Sequence, residues 1–299
     1  MKDKSGLFVG LTTLDFLYLT AEIPQVNEKR VAVDYTVAAG GPATNGAIAF
    51  EYLRRSQGHS GSTQLLASVG NHALSGLIRA DLEEYGVNCT DLDPQRCDPP
   101  PVSSILVTPP KGDRAVISIN ATHAQAAWNP EFIALLDPVQ VLLIDGHQMA
   151  ISQELARVAK ERKIPVIIDG GSWKPGFEGV LALADTVITS ANFYPPGCAN
   201  HEQTIAYLVH LGIPKIAITQ GEGAIAYYNQ GKQGQIPVPQ VSAIDTLGAG
   251  DILHGTFCYY SLELDFVEAL TQAAQIASVS VQQFGTRAWM KDRGGEMGG

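Results

Sequence analysis

The stretch DTLGAGD, residues 245–251, sets Gly248, Ala249 and Gly250 just ahead of a carboxylate, Asp251, and of an apolar-periodic run through Ile252, Leu253, Phe257 and Tyr260. Two readings compete for it. In one, it is a surface turn in which Asp caps a helix. In the other, small residues before a helix N-terminus let backbone N–H groups approach an anion unobstructed, with a base beside them. On that second reading the amides of Gly248, Ala249 and Gly250 face the negative charge that spreads over a transferring phosphoryl group. Asp251, kept ionised by the helix dipole, accepts the proton of an attacking hydroxyl. Phosphoryl transfer needs these two functions in line, with a metal bridging the donor phosphates, and Asp245 then orients the loop or a hydrated metal.

Around this stretch the chain alternates short β-branched runs with longer amphipathic ones, the pattern of an α/β fold: a doubly wound, mostly parallel sheet flanked by helices. Strands are expected at 7–11, 64–69, 141–145, 165–169, 186–189 and 215–219. Helices are expected at 43–55, 75–85, 152–162, 202–211, 251–262 and 266–284. Segments 30–38 and 102–119 instead alternate with period two and read as antiparallel strands. They would extend from the edge of the main sheet as a small antiparallel β lid that keeps water from a pocket. No repeat or linker divides the chain, so residues 1–299 are expected to form one domain ending in a flexible tail at 291–299.

Other stretches offer partners for the opening motif. In AAGGPATNGA, residues 38–47, Pro42 suits the first turn of a helix, and Gly40 and Gly41 allow a close backbone approach. Asn45 then presents an amide that both donates and accepts, which suits a polyhydroxyl ligand, although an ordinary Gly-Pro helix start reads the same way. Asp15, in GLTTLDFLYL, follows the first strand. Ligands of open α/β sheets gather outside the carboxyl ends of strands, so Asp15 is placed either to accept two sugar hydroxyls or simply to make a strand-end turn. In AITQGEGAIAYYNQGK, residues 217–232, Thr219 and Gly221 either border a nucleotide or belong to a plain hairpin. Neither the P-loop pattern nor a strand-anchored G-x-G-x-x-G is present, so a nucleotide site here is of another type. His147 lines a sugar pocket or is structural, and His254, one turn beyond Asp251, reads as packing or support for a substrate loop.

Bulk properties narrow the partners. The formal net charge of −10 and the lack of a Lys/Arg cluster argue against nucleic acid, while a small anion needs only a local field. Four scattered cysteines without metal-type spacing suit a reducing cytoplasm. Lys2 and Lys4 precede an apolar stretch, but Thr12, Thr13 and Asp15 interrupt it, so neither export nor membrane insertion is expected.

Together these residues resemble the ribokinase-like (PfkB) carbohydrate kinases from about Phe8 to Trp289. AGGPATNGA is similar to that family's N-terminal Gly-Gly-Asn motif, and DTLGAGDILHGTF to its C-terminal motif around the catalytic Asp. GLTTLDFLYL, SVGNHALSGLIRADLEEYGVN and ALTQAAQIASVSVQQFG are most similar to the ketohexokinase type. The resemblance implies a sugar kinase using ATP with Mg²⁺, in which Asp251 is the general base and residues 248–250 form the anion hole. It implies that Asp15, Gly41 and Asn45 hold sugar hydroxyls and that Arg114, in KGDRAVI, reaches substrate from the lid; Gly40 and His147 are counted with them as sugar-site candidates from their own positions. Thr219, Gly221, Gly223 and Thr246 would border ATP, with Ala274 and Ala277 near adenine. A homodimer through the β lid is expected.

The chain also departs from the family pattern. SANFYPPG has Asn192 but Pro195 where many members carry Glu, so the metal ligands are unknown. Asn71 and His72 replace an expected Asp, and Ile252 and Thr256 stand where other residues are commoner. Two alternatives stay open. One is a nucleoside kinase with Phe16, Tyr18 and Trp128 as a flat slot. The other is a catalytically silent sugar or nucleotide sensor.

Overall fold

Leu7, Phe8 and Val9 are consecutive, point to alternate sides of one strand, and are all fully buried. A strand buried on both faces needs helices on both sides, the arrangement of a parallel α/β sheet. The structure is a computed structural model and describes residues 3–109, 112–119, 121 and 125–291. The first strands are β1 (Gly6–Gly10), β2 (Thr13–Leu19), β3 (Asp34–Gly40), β4 (Thr63–Ala67), β5 (Asn88–Asp91), β6 (Val102–Thr108) and β7 (Asp113–Ser118). After them come β8 (Val141–Ile144), β9 (Val166–Gly170), β10 (Thr186–Ser190), β11 (Lys215–Gln220), β12 (Gly223–Asn229) and β13 (Lys232–Ile236). The helices are α1 (Pro42–Ser56), α2 (Ser75–Tyr85), α3 (Met149–Glu161), α4 (Phe177–Leu181), α5 (His201–His210), α6 (Ala249–Tyr260) and α7 (Phe266–Ser280).

Nine strands form the main sheet in the order β13-β12-β11-β10-β9-β8-β1-β4-β5. Every pairing from β11 to β5 is parallel, and β12 and β13 close one edge antiparallel. Period-two alternation sorts the core into two layers. Phe8, Leu143, Ile167, Ile188 and Ala217 face α1, α2, α6 and α7. Leu7, Val9, Leu142, Ile168, Val187 and Ile216 face α3, α4 and α5. The chain builds outward from β1 first through β4 and β5, then from β8 on the opposite side. That reversal puts the topological switch point between β1 and β8, and open α/β sheets take their ligands beyond the carboxyl ends of the strands at such a point.

The four remaining strands form a separate sheet, β3-β2-β6-β7, and not an extension of the main sheet's edge. It is antiparallel at β2–β3 and β6–β7 and parallel at β2–β6. β2 was not expected as a strand. Thr12 and Thr13 look like a break after β1, but Asp15 is the third residue of β2 and lies inside this sheet, not in a strand-end turn. The predicted 30–38 segment starts late, because Arg30 is held in a loop by Glu22 and Glu28. α7 also stops four residues earlier than its periodicity predicts. The amides of Ile244 and Asp245 take the Val281 carbonyl, at 2.8 and 3.1 Å, and Gly285 at φ 80° turns the chain. The expected tail at 291–299 lies outside the described residues beyond Lys291.

Candidate active site

α6 begins at Ala249, two residues before the expected 251, so Ala249 and Gly250 lie within its first turn, which two glycines shape in different ways. Gly248 is the N-cap at φ 70°, and a Cβ there would meet Thr286 Cγ2 at 2.8 Å, so the position calls for glycine. A Cβ on Gly250 would meet nothing within 4 Å. The first-turn amides of a helix have no acceptor within it. Ala249 N reaches back only weakly, to Thr246 O at 3.4 Å. Gly250→Val is expected to fold normally yet lose about 10²-fold in kcat/KM for the nucleotide, the scale of one lost anion-hole donor. Steady-state kinetics with a thermal melt checks this, and normal turnover would make the turn purely structural.

Asp251 stands on that first turn and is half-buried. Asn45 Nδ2, from the start of α1, donates to its Oδ2 at 2.8 Å. Asn45 Oδ1 in turn accepts from Arg287 Nη1 at 2.9 Å, which fixes the amide's orientation. Arg287 is itself held by Ala39 O at 2.5 Å, Asp81 Oδ2 at 3.2 Å and the face of Tyr85. Asn45 thus both donates and accepts as expected, but its partners are protein groups. The helix dipole is not the main influence on the Asp251 charge. Burial first, and the nearby Asp169 charge second, push its pKa up to about 6, while Asn45 and His254 work the other way. A helix dipole supplies ~0.3–1 kcal/mol, less than burial of a carboxylate costs.

At the β1/β8 switch point the chain places a second carboxylate, the buried Asp145. Its Oδ2 accepts from the amides of Leu11 at 2.8 Å and Ala43 at 3.1 Å, and its Oδ1 from the His147 amide at 2.9 Å. His147 Nδ1 lies 3.0 Å from the same Oδ1. Burial acts to raise this pKa, but His147, the Leu11 amide and Lys174 outweigh it and hold Asp145 at about 2. Asp145 therefore fastens the end of β1 to the entrance of α1 and orients His147. Asp15 lies on β2. It accepts from Thr13 Oγ1 at 2.7 Å, and Gly40 packs against its carboxylate. Burial chiefly, with help from Asp251, raises the Asp15 pKa, while the Thr13 and Ser103 hydroxyls and Arg287 oppose it. Gly41 caps α1 at φ 96° beside it.

The lid latches onto the loop before α6. Arg114 Nη1, on β7, donates to Thr246 Oγ1 at 2.6 Å, and that hydroxyl donates to Gly112 O at 3.0 Å. Asp245, behind them, accepts from the amides of Leu247 and Gly285, both at 2.9 Å, so it orients the loop as anticipated. Thr246 and Arg114 thus serve the lid contact. Thr219 ends β11 with its hydroxyl on Thr189 O at 3.2 Å, Gly221 turns at φ 61°, and Gly223 opens β12. Ala274 and Ala277, expected beside adenine, are core residues of α7 only 2% and 9% exposed. Pro195 is buried after β10, where the resemblance leads one to look for Glu.

The residues missed from sequence are Asp145, Asp169 and Arg287. The two aspartates did leave a signal, since LLID and VIID are apolar strands ending in a carboxylate at the edge where ligands collect. Arg287, in a short turn after α7, left none. His254 and Asp169 meet behind Asp251, Nδ1 to Oδ2 at 3.4 Å.

Comparison with known proteins places this geometry. Deoxyribokinase of Salmonella typhi is 23% identical over 291 residues, covering 94% of this chain and 93% of that protein. Ribokinase of Bacillus subtilis (strain 168) is 23% identical over 292 residues, covering 95% of each. Among solved structures, ribokinase from Giardia lamblia aligns with a TM-score of 0.77 at 16% identity, over 97% of this chain and 96% of that one. Arabidopsis thaliana ribokinase, complexed with ribose and ATP, aligns at 0.71 and 18% identity, over 97% and 98%. The pattern of the pfkB family carbohydrate kinases matches residues 4–293, nearly the whole span in which residues 248–250, Asp251 and the lid lie, and the chain belongs to that family of sugar kinases.

Proposed function

We propose that this chain is an ATP-dependent kinase for the primary hydroxyl of a furanose-form sugar, with Asp251 as general base. The observation that carries the reading is a half-buried carboxylate, pushed up to a pKa of about 6, on the first turn of a helix that has open space at Gly250. A base in that range is deprotonated at neutral pH yet basic enough to take a proton. The sugar hydroxyl gives its proton to Asp251 while its oxygen bonds to the γ-phosphorus. The bond from that phosphorus to the β–γ bridging oxygen breaks, and ADP carries the electron pair away. The amides of residues 248–250 stabilise the charge on the phosphoryl oxygens. Thr219, Gly221 and Gly223 border the nucleotide.

Mg²⁺ would neutralise phosphate charge. Among the described residues no three His, Cys, Asp or Glu side chains are arranged to hold a metal, which fits an ion held chiefly by phosphate oxygens and water.

On the sugar side we assign Asp15, with Gly40, Gly41, Asn45 and His147. Full-length relatives named deoxyribokinase and ribokinase support a five-carbon furanose as readily as a ketose. Asp15→Ala is expected to raise the sugar KM at least about tenfold, from the loss of charge-assisted bonds worth ~1.5–3 kcal/mol each, with ATP affinity unchanged. Calorimetry showing equal loss of both ligands would make Asp15 structural. A coupled ADP-release screen with Mg²⁺ over pentoses, ketohexoses, aldohexoses and nucleosides tests the reading as a whole. Rapid turnover of nucleosides alone would overturn it, and a flat response would favour a silent sensor. The nucleoside slot loses its support in the structure. Phe16 and Tyr18 lie on the opposite face of β2 from Asp15, and Trp128 packs on Phe132 at 6.1 Å.

We place the enzyme in the cytoplasm as one kinase domain with its lid. The described cysteines are free, and no helix among the described residues is long and apolar enough to cross a membrane. The outward face of the lid carries Tyr18, Tyr35 and Ile117 at 37, 69 and 80% exposure, and we assign it to a homodimer contact. Light scattering at micromolar concentration should give twice the chain mass, and Tyr35→Glu should halve it. A monomeric parent protein would refute the dimer.

A further inference from the structure

We propose that His254 is a positioning residue for phosphoryl transfer: its imidazole ties the first turn of α6, which carries Asp251, to the sheet at β9 and β10, and it acts on Asp251 in the opposite direction to Asp169. The inference rests on Asp251 being the base.

His254 is 4% exposed and lies one turn after Gly250, on the same face of α6. Its Nδ1 is 2.6 Å from Gly250 O and 3.4 Å from Asp169 Oδ2. Its Nε2 is 3.0 Å from Ile188 O in β10. Every one of these partners is an acceptor. The two ring nitrogens thus reach carbonyls of the helix and of the sheet, and the Asp169 carboxylate lies beside Nδ1. The ring therefore bolts the start of α6 to β9 and β10.

The choice of Gly250 O matters for the helix start. That carbonyl belongs to the peptide whose N–H is the Asp251 amide, one of the open first-turn donors. A donor on the carbonyl end of a peptide polarises it and strengthens the N–H at the other end. His254 thus acts on the anion site through the peptide that carries the base, without touching a ligand.

The charges around Asp251 give His254 its second role. Asp169 on β9 and Asp145 after β8 disfavour a negative Asp251, as burial does, while His254 on its own helix and Asn45 on α1 favour it. Asp15 on β2 adds a further negative charge. Lys174 and His147 face Asp169 and Asp145 and moderate both. Cys258, further along α6, lies near Asp169 and is held as the thiol by burial. Arg287 acts through Asn45. Within this set His254 is the group on the same helix as Asp251 that favours its charged form, and Asp169 is the neighbour that opposes it.

The test is the pH profile of kcat/KM for the sugar in His254→Asn, His254→Gln and Asp169→Asn, with Asp251→Asn as the control. Removing the imidazole should move the acid limb to higher pH by at least ~0.5 unit and raise the ATP KM. Removing the Asp169 charge should move the limb to lower pH, so the two substitutions shift it in opposite directions. A purely structural role would lower activity at all pH values without that crossing, and limbs unmoved in folded protein would overturn the proposal. Should both His254 variants fail to fold, the Asp169→Asn profile alone decides, since a limb that stays put or rises refutes the opposed action. Turnover surviving in Asp251→Asn would instead refute the base assignment on which the inference stands.

Discussion

Asp251→Asn should lower kcat by about 10²–10⁴-fold, the usual contribution of a positioned general base, while nucleotide affinity changes little. Asn keeps the size and the contact with Asn45 but cannot take a proton. In the parent enzyme the base works only when ionised. Activity should therefore fall as pH drops through about 6, where burial and Asp169 have placed the Asp251 pKa, and level off above it. Stopped-flow or coupled assays across pH 5–8 report both effects. Near-parent turnover in the purified variant would remove Asp251 from the chemistry.

Gly255→Ala should destabilise the fold by about 1–3 kcal/mol and depress activity with it. In an exposed helix the same change normally stabilises by ~1 kcal/mol, so the sign here is set by packing. A Cβ at residue 255 would collide with the Gly46 carbonyl and sit 2.7 Å from Gly46 Cα, because α1 and α6 cross backbone to backbone at this pair. Both partners are main chain, so neither can swing aside. The helices must separate, and the 2.8 Å bond from Asn45 to Asp251 spans the same two helices. Chemical denaturation and kcat should move together. A variant as stable as the parent would show that the crossing has slack. Gly250 makes the contrast within one helix, since its missing Cβ leaves room for a ligand and not for a neighbour.

Local pattern carried much of this protein into view. The residues of β1, β8, β9, β10 and β11 are apolar on both faces, which a parallel sheet between helices requires, and amphipathic period marked α1, α2, α3, α5, α6 and α7 to within a few residues. The turn at 248–250 was legible for the same reason: Gly-Ala-Gly before an apolar helix is a local statement about backbone access, and Asp251 is adjacent to it in sequence. The three-dimensional arrangement decided the rest. β2 reads as a break because its pairing partners, β3 and β6, lie elsewhere in the chain. The orientation of Asn45 comes from Arg287, 242 positions away, and its hold on Asp251 crosses 206. Sequence by itself determined the helix-flanked parallel sheet and the presence of a carboxylate beside a small-residue turn at a helix start, since these follow from periodicity and side-chain size. Only the tertiary structure decided how strongly that carboxylate binds a proton, because desolvation and the fields of Asp169, Asp145 and His254 depend on distances that no local spacing encodes.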